Sequence, residues 1–168
     1  MFLDLRKAFD LVDHEILIHK LKLYHFSEKS VNLFSSYLSD RKQQVKVKNN
    51  SSEMLPITTG VLQGSILGPI LFLLYINDIA FTSNTGSTDL YADDTTLYES
   101  AQNIFDLQHN LQVRLDSVRS WCMLNNMALH PTKTKCMLIG TKHKLRSKPK
   151  LELKIDDLLI ENVTYQKI

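Results

Sequence analysis

Three aspartates in this 168-residue sequence have the side-chain type and the setting for metal-dependent chemistry. Asp4 lies at the end of a short apolar stretch, and Asp93 and Asp94 lie at the predicted tip of an apolar hairpin. If the two strands are neighbours in one sheet, their carboxylates converge at one edge. Hard cations such as Mg²⁺ prefer oxygen ligands, often one or two carboxylates together with substrate phosphates. Two such ions, about 3.5–4 Å apart, would hold the attacking and leaving oxygens of an in-line phosphoryl transfer.

Each of these aspartates also has an ordinary structural explanation. Aspartate is common in tight turns, which would account for Asp93 and Asp94. Asp4 would then be a helix cap or a surface carboxylate. Spacing alone leaves both interpretations open.

The elements that must position these residues are predicted from periodicity and capping signals. Helices are predicted after Asp13, after Ser27 or Ser30, over 70–79 behind Pro69, and over 103–124. Strands are predicted at 1–5, 43–47, 54–59, 90–92, 95–98, 136–139, 151–155 and 158–163. Strands joined through hairpins and mixed with helices indicate an α+β fold, in which helices cover one face of an antiparallel sheet.

Composition limits the class of protein. With 43% hydrophobic and 23% charged residues, the chain suits one globular domain or a piece of a larger one, and not a disordered chain. The longest nearly apolar run, 66–76, is too short for a membrane helix, which needs about 20 residues. Cys122 and Cys136 make neither a disulfide framework nor a zinc-ligand spacing. We therefore expect an intracellular protein that makes no membrane contact.

The net charge of +2 conceals an uneven distribution along the chain. Residues 41–48 are basic through Arg41, Lys42, Lys46 and Lys48. Residues 49–132 are predominantly acidic, and residues 142–150 are basic again. This order could mean a cation site between two polyanion-binding surfaces, or only solvated faces and a linker.

Four motifs and part of a fifth give the sequence a family resemblance. Residues 2–10, FLDLRKAFD, resemble the first palm motif of reverse transcriptases, in the form found in non-LTR (LINE-like) retrotransposons. Residues 60–69, GVLQGSILGP, resemble the second, and 91–94 match the YADD box. Segments within 121–134 resemble the next motif, and 163–167 resemble the approach to the primer grip. Since the motifs follow in the family's order over nearly the whole chain, the sequence is identified as a member of that family.

The resemblance implies an RNA-directed DNA polymerase, which adds dNTPs to a primer 3′-hydroxyl by two-metal phosphoryl transfer. It implies that Asp4 and Asp93 ligate two Mg²⁺ ions, with Mn²⁺ as a substitute. Asp94 would complete the acidic site, and the backbone carbonyl of Leu5 would supply a further oxygen. Lys133 would donate a proton to pyrophosphate, an ordinary surface lysine being the alternative. Catalysis of this kind consists of positioning and electrostatics.

The resemblance also implies a dNTP-binding set, which consists of Ala8, Phe9, Gln63, Gly64 and Tyr91. Phe9 matches the family's steric gate, whose ring would clash with a ribose 2′-hydroxyl; a core aromatic is the alternative. Gln63 and Gly64 would touch the nucleotide and the template, because glycine lets a backbone approach closely. The same glycine also fits a turn before the helix at Pro69.

The resemblance implies further partners, namely an RNA template and a DNA primer. Their phosphates would contact the basic residues Arg41, Lys42, Lys46 and Lys48. We expect a palm core at 1–141, a basic linker at 142–150, and a hairpin at 151–168 that leads into a truncated primer grip. The fold would then be incomplete at both ends, and the fingers and thumb of a parent polyprotein would be further partners. The chain alone should therefore bind template–primer poorly and extend it barely, if at all.

Two other functions remain open. One is a non-catalytic, nucleic-acid-binding or domesticated remnant of a retroelement, against which the three intact aspartates count. The other is a different two-metal enzyme, either an RNA-templated RNA polymerase or a nuclease. The aromatic residue at position 9 and the sequence Tyr91-Ala92 argue against the RNA polymerase, and a nuclease would leave Gln63-Gly64 unexplained.

Overall fold

A computed structural model describes residues 1–83, 85–147 and 149–164. The described strands are β1 (Phe2–Leu3), β2 (Lys42–Gln43), β3 (Lys46–Val47), β4 (Asn50–Ser51), β5 (Leu55–Pro56), β6 (Ser87–Tyr91), β7 (Asp94–Tyr98), β8 (Lys135–Met137), β9 (Lys154–Ile155), β10 (Leu158–Leu159) and β11 (Glu161–Val163). The α-helices are α1 (His14–Leu23), α2 (Glu28–Leu38), α3 (Leu67–Ile76), α4 (Ile104–Leu124) and α5 (Lys142–Leu145). Two 3₁₀ helices span Ala8–Asp10 and Asn77–Phe81. This mixture of helices with a largely antiparallel sheet confirms the α+β class.

The chain divides into two compact units. The first, called the sheet unit, consists of Met1–Arg6 and Asn77–Ile168. The second, called the helical unit, is Lys7–Ile76. The predicted division into 1–141, 142–150 and 151–168 follows different boundaries and stays a prediction; its basic linker contains the short helix α5.

A five-stranded sheet in the order β11-β8-β1-β7-β6 forms the centre of the sheet unit. The pairs among β8, β1, β7 and β6 are antiparallel, whereas β11 joins β8 in parallel. The predicted last hairpin, between 151–155 and 158–163, therefore forms only near its turn. β9 and β10 pair around Asp156-Asp157, and then Glu161–Val163 leaves them for β8. An alternating pattern predicts a strand but not its partner, which depends on residues far away in the chain.

Helix α4 is the long helix of the sheet unit and confirms the helix predicted at 103–124. Asn103 caps it, since its side chain accepts a hydrogen bond from the backbone N–H of Asp106. The buried face carries Leu111, Leu115 and Val118 at helical spacing. Gln112 hydrogen-bonds the backbone of Lys154 in both directions, which fixes the helix against β9.

The helical unit is built from α1, α2 and α3. Asp13 caps α1 and Ser27 caps α2, as the sequence predicts. Helix α3 is apolar and buries Leu71, Phe72 and Tyr75. It begins three residues earlier than predicted, at Leu67. It also ends three residues earlier, because the chain continues from Asn77 as a 3₁₀ helix. None of the helices in the described ranges has the length and apolarity to cross a membrane.

The basic segment of the helical unit forms an interrupted hairpin. β2 pairs with β5, and β3 pairs with β4 around a tight turn at Lys48, which has φ 54°. Between the two ladders, the Ser52 hydroxyl accepts a hydrogen bond from the Val45 backbone N–H. The predicted hairpin between 43–47 and 54–59 thus forms, but a side-chain bond replaces part of its ladder and 50–51 is a strand instead of a turn.

Candidate active site

Asp4 and the 93–94 pair lie at the ends of two neighbouring strands of the sheet unit, since Asp4 follows β1 and Asp94 begins β7. β1 and β7 are antiparallel with Phe2 opposite Thr96 and Leu3 opposite Thr95. The same register continued by one residue sets Asp4 opposite Asp94. Residues opposite each other in such a pair have Cα atoms about 4.5–5.5 Å apart. The condition for the carboxylates to converge, that the two strands pair, is therefore met.

The β6–β7 hairpin differs in detail from the prediction. Its last pair is Tyr91 with Asp94, so only Ala92 and Asp93 form the turn. A two-residue turn needs positive φ to match the twist of the strands, and Ala92 adopts φ 54°. Asp93 therefore lies in the turn, whereas Asp94 is the first residue of β7.

The segment 129–134 supports Asp4 from the other side. The Asp4 backbone N–H donates to the hydroxyl of Thr134 over 3.3 Å, and its carbonyl accepts from the backbone N–H of His130 at 2.8 Å. Leu5 forms a bridge with Leu129. The Lys133 ammonium lies 4.0 Å from Asp4 Oδ2, although its side chain is 64% exposed. Asp4 thus has a hydrogen-bonded backbone and one exposed cation beside its carboxylate.

The side chains at this edge have the donor chemistry of a Mg²⁺ site. The side chains of Asp93 and Asp94 make no hydrogen bond or ion pair with any residue that the structure describes, so their carboxylate oxygens are available. Within the described ranges, no group of three or more His, Cys, Asp and Glu side chains has the arrangement to hold a metal. Mg²⁺ does not need one, because it keeps several waters and takes only one or two carboxylates together with substrate phosphates. The residues therefore fit this ion.

Four of the five predicted dNTP-binding residues lie together in the helical unit. Gly60 and Val61 donate backbone hydrogen bonds to the carbonyls of Val12 and Phe9, at 2.7 and 2.9 Å. A Cβ on Gly60 would approach the Asp10 carbonyl oxygen to 3.0 Å, so this close contact favours glycine. These bonds join the Gln63-Gly64 loop to the 3₁₀ helix that carries Ala8 and Phe9.

The individual side chains of this set have different environments. Ala8 is buried, and the half-buried ring of Phe9 stacks on Phe72 with centroids 4.1 Å apart. Gln63 donates from Nε2 to Asp10 Oδ1 over 3.1 Å. Gly64 has φ 79° and open space where a Cβ would lie, so its backbone conformation, not a close contact, requires glycine. The fifth residue, Tyr91, lies in the sheet unit and is 81% exposed.

A cleft of about 570 Å³ lies within the helical unit. Arg41, Lys42 and His14 line it, together with Asp10 and Gln63. The Arg41 side chain is held in the lining, since its Nε donates to the Tyr37 carbonyl over 2.9 Å. The predicted phosphate contacts thus separate into two groups, because Lys46 and Lys48 lie outside the lining. Lys46 is exposed on β3, and Lys48 is exposed in the turn that follows it.

Sequence reasoning missed a buried ion pair behind the acidic hairpin. Arg114 is 2% exposed and its Nη1 lies 3.6 Å from Glu99 Oε2. The available signal was its position, because residue 114 falls three after Leu111 and four before Val118, within the apolar stripe of α4. An arginine at such a position must be paired, since an unpaired buried charge is costly.

The predicted approach to the primer grip lies largely beyond the described ranges. Residue 163 ends β11, whereas residues 165–167 lie outside the described residues. A separate bond connects the motif that begins at Trp121 with the 3₁₀ helix Asn77–Phe81, because the indole N–H of Trp121 donates to Asp78 over 3.1 Å.

The chain is similar in sequence to one protein family and to several polymerases of mobile elements. The reverse transcriptase (RNA-dependent DNA polymerase) family matches residues 1–160. The chain is 33% identical over 141 residues to the probable RNA-directed DNA polymerase from transposon BS of Drosophila melanogaster, covering 80% of this chain and 16% of that protein. It is 32% identical over 139 residues to the RNA-directed DNA polymerase from mobile element jockey of the same species, covering 79% and 15%. It is also 30% identical over 138 residues to the probable RNA-directed DNA polymerase from transposon X-element of Drosophila melanogaster, covering 80% of this chain and 15% of that protein. The chain spans about a sixth of the length of these relatives.

Proposed function

The chain belongs to the reverse transcriptase family, with LINE-like, non-LTR relatives, and from that premise we propose that it is the palm of an RNA-directed DNA polymerase. In this proposal it adds dNTPs to a primer 3′-hydroxyl on an RNA template. The observation that carries the proposal is the antiparallel pairing of β1 with β7, which brings the strand ending at Asp4 beside the hairpin that bears Asp93 and Asp94.

The proposed metal ligands are Asp4 and Asp93, with Asp94 completing the acidic edge and the Leu5 carbonyl as a further oxygen donor. Bound Mg²⁺, or Mn²⁺ in its place, supplies Lewis acidity and neutralises phosphate charge. The contribution of the chain is to hold these oxygens in place before substrate arrives. For Asp4 this is supported by its backbone bonds to Thr134 and His130.

Lys133 is the proposed proton donor. Its ammonium lies 4.0 Å from Asp4 Oδ2, which keeps the cation near the acidic edge without burying it. In this proposal the ammonium transfers a proton to the oxygen that leaves with pyrophosphate. Asp4 would thereby orient both a metal and the donor.

The proposed nucleotide contacts of the helical unit are Ala8 and Phe9 with the Gln63-Gly64 loop. Tyr91 is a separate proposed contact, carried by the sheet unit. The stack of Phe9 on Phe72 fixes one face of its ring, which supports a rigid gate against a ribose 2′-hydroxyl. Gly64 leaves open space beside the backbone, which supports close approach of a base or sugar.

The proposed nucleic-acid contacts begin at the basic cleft. Arg41 and Lys42 line a space large enough for a nucleotide unit, and Lys46 and Lys48 continue the positive charge on the exposed ladder. We propose that other parts of a longer protein, its fingers and thumb, complete the grip on template and primer. The 168 residues alone would then extend a primer weakly or not at all.

The proposal is tested in a chimera in which this chain replaces the matching segment of the jockey polymerase. We expect the chimera to extend a primer on an RNA template with dNTPs and Mg²⁺. Asp93→Asn should reduce product by about 100-fold or more, since the loss of a preorganised charge at the reacting phosphate costs several kcal/mol.

The matched control is Asp89→Asn, which removes an exposed carboxylate from β6 of the same hairpin. It should leave extension unchanged. Equal activity of the Asp93→Asn and unsubstituted chimeras would refute the metal assignment.

A second function is favoured by the basic side chains of Arg41 and Lys42, which line the cleft of the helical unit. It is a nucleic-acid-binding protein without catalysis. A chimera that binds template–primer as tightly as the jockey polymerase but makes no product would support this function instead.

A further inference from the structure

Arg114 is a buried cation that no step of the proposed chemistry uses. It extends from α4 to the hairpin, where its Nη1 donates to the Tyr98 carbonyl at 2.6 Å. Its Nη2 donates to the Ser87 carbonyl at 3.1 Å and to the Thr88 hydroxyl at 2.9 Å. One guanidinium therefore binds both β6 and β7.

The two carbonyls belong to one rung of the hairpin, because Ser87 lies opposite Tyr98 in the register. This rung is at the open end of the hairpin, and the pair of Tyr91 with Asp94 closes the other end. The planar, forked shape of a guanidinium suits two acceptors held side by side, whereas an ammonium cannot reproduce it.

The residues that flank this rung are adapted to the cation. Gly86, just before Ser87, has φ 65°, and a Cβ on it would collide with Arg114 Nη1 and with the Tyr98 carbonyl oxygen that this nitrogen binds. Glu99, just after Tyr98, places Oε2 3.6 Å from Nη1 and is itself 7% exposed. The chain thus leaves room for the guanidinium on one strand and supplies its counter-charge on the other.

We propose that Arg114 is a positioning residue that locks the register of the β6–β7 hairpin and thereby holds Asp93 in the turn and Asp94 beside β1. A slip of one residue would turn every side chain of a strand to the opposite face of the sheet. It would also separate the guanidinium from the paired carbonyls, leaving a buried charge without its partners. The catalytic consequence of the lock rests on the proposed function, whereas the lock itself does not.

The test uses the 168-residue chain with Arg114→Lys, which keeps the charge and loses the fork. Thr88→Val is a second variant, which removes one acceptor of the guanidinium while Arg114 is retained. The control is Leu153→Ala, which destabilises the same unit at a buried site that makes no contact with the rung in any bond described above.

The first measurement is hydrogen exchange of the metal-free chain. In both lock variants, exchange of the β6 and β7 amides should rise about tenfold or more relative to the α4 amides, as expected for the loss of one hydrogen bond to a charged group. Leu153→Ala should raise exchange in both elements alike. Equal behaviour of the lock variants and the control would overturn the proposal.

The second measurement is Mn²⁺ affinity by electron paramagnetic resonance, with Asp93→Asn as the reference for site loss. Affinity should fall about tenfold or more in the lock variants and stay unchanged in Leu153→Ala. Unchanged, Asp93-dependent affinity in Arg114→Lys would overturn the positioning role. If the unsubstituted chain shows no Asp93-dependent binding, the proposed metal site is wrong, and hydrogen exchange still decides whether Arg114 locks the hairpin.

Discussion

Asp93 and Asp94 are adjacent in the chain but have different structural positions. Asp93 lies in a two-residue turn, and Asp94 begins β7. The difference arises because Ala92 adopts the positive φ that a tight hairpin turn requires. Substitutions at the two positions should therefore differ in their effect on the hairpin, since the Asp93 carboxylate is carried by a turn and the Asp94 carboxylate by a paired strand.

Phe9 is the residue at which discrimination between sugars can be tested. In the jockey chimera, Phe9→Val should raise incorporation of rNTPs relative to dNTPs by about tenfold or more, which is the scale of discrimination that a pocket achieves for one small group. The physical reason is that the smaller side chain leaves room for a 2′-hydroxyl. The measurement is the ratio of kcat/KM for matched rNTP and dNTP.

A matched control for this ratio is Phe81→Val. Phe81 is 78% exposed, so the substitution removes an aromatic ring of the same size without opening a pocket. A ratio that Phe9→Val leaves unchanged would show that the ring is only a core aromatic packed on Phe72.

At the scale of elements, α4 combines two roles on one face. Its leucines and valine pack in the sheet unit, and Arg114 between them binds the hairpin. The apolar periodicity predicted the helix correctly, because contacts three and four residues apart depend on nearby residues alone. The partner of Arg114 was not predictable from that pattern, since it lies on strands distant in the chain.

The last turn of α4 makes the unit sensitive to alkaline pH. Burial raises the pKa of the Cys122 thiol from 9.0 to about 12. Between these values the unfolded chain loses a proton that the folded chain keeps, so the free energy of unfolding should fall with rising pH, at about 1.4 kcal/mol per pH unit. Below pH 9 this thiol should have no effect.

The measurement is urea unfolding between pH 7 and pH 11 for the unsubstituted chain and Cys122→Ala. Other groups titrate in both proteins, so the informative quantity is the difference between the two pH profiles. Cys136, whose pKa is also raised by burial, is retained in both. Profiles that run parallel above pH 9 would contradict the role assigned to Cys122.

At the scale of the whole molecule, a small net charge coexists with a concentrated basic surface. The chain carries +2 overall, yet Arg41 and Lys42 line one cleft of the helical unit. Local charge, not the total, determines where a polyanion binds. We therefore expect nucleic-acid binding that depends on a few cations.

The salt dependence of binding measures how many cations take part. The logarithm of the binding constant of the chain for an RNA–DNA template–primer should fall linearly with the logarithm of salt concentration, with a slope of about 0.7–0.9 per neutralised phosphate. The double substitution Arg41→Ala and Lys42→Ala should reduce the slope by about 1–2 and weaken binding. Fluorescence anisotropy over a salt series provides the slope.

The control for charge alone is Lys22→Ala combined with Lys29→Ala, which removes two cations from exposed positions on α1 and α2. Its slope should match that of the unsubstituted chain. The same change of slope in both double variants would mean that the cleft contributes nothing beyond net charge.

The sequence by itself determined the family, the α+β class and the local elements. Asp13 and Ser27 cap their helices as predicted, and 103–124 forms the expected helix with its cap. These features depend on contacts within about four residues, so the order of residue types was sufficient. The resemblance to non-LTR reverse transcriptases is likewise confirmed, because motifs are read directly from residue order.

Only the tertiary structure decided which distant elements meet. Leu3 pairs with Thr95, β11 leaves its predicted hairpin for β8, and Arg114 binds the rung between Ser87 and Tyr98. Each choice joins residues that are between 16 and 92 positions apart in the chain. Sheet partners and buried charges are selected by the free energy of the whole fold, because an alternating pattern fits many partners while only one arrangement buries every apolar face and pairs the buried charge.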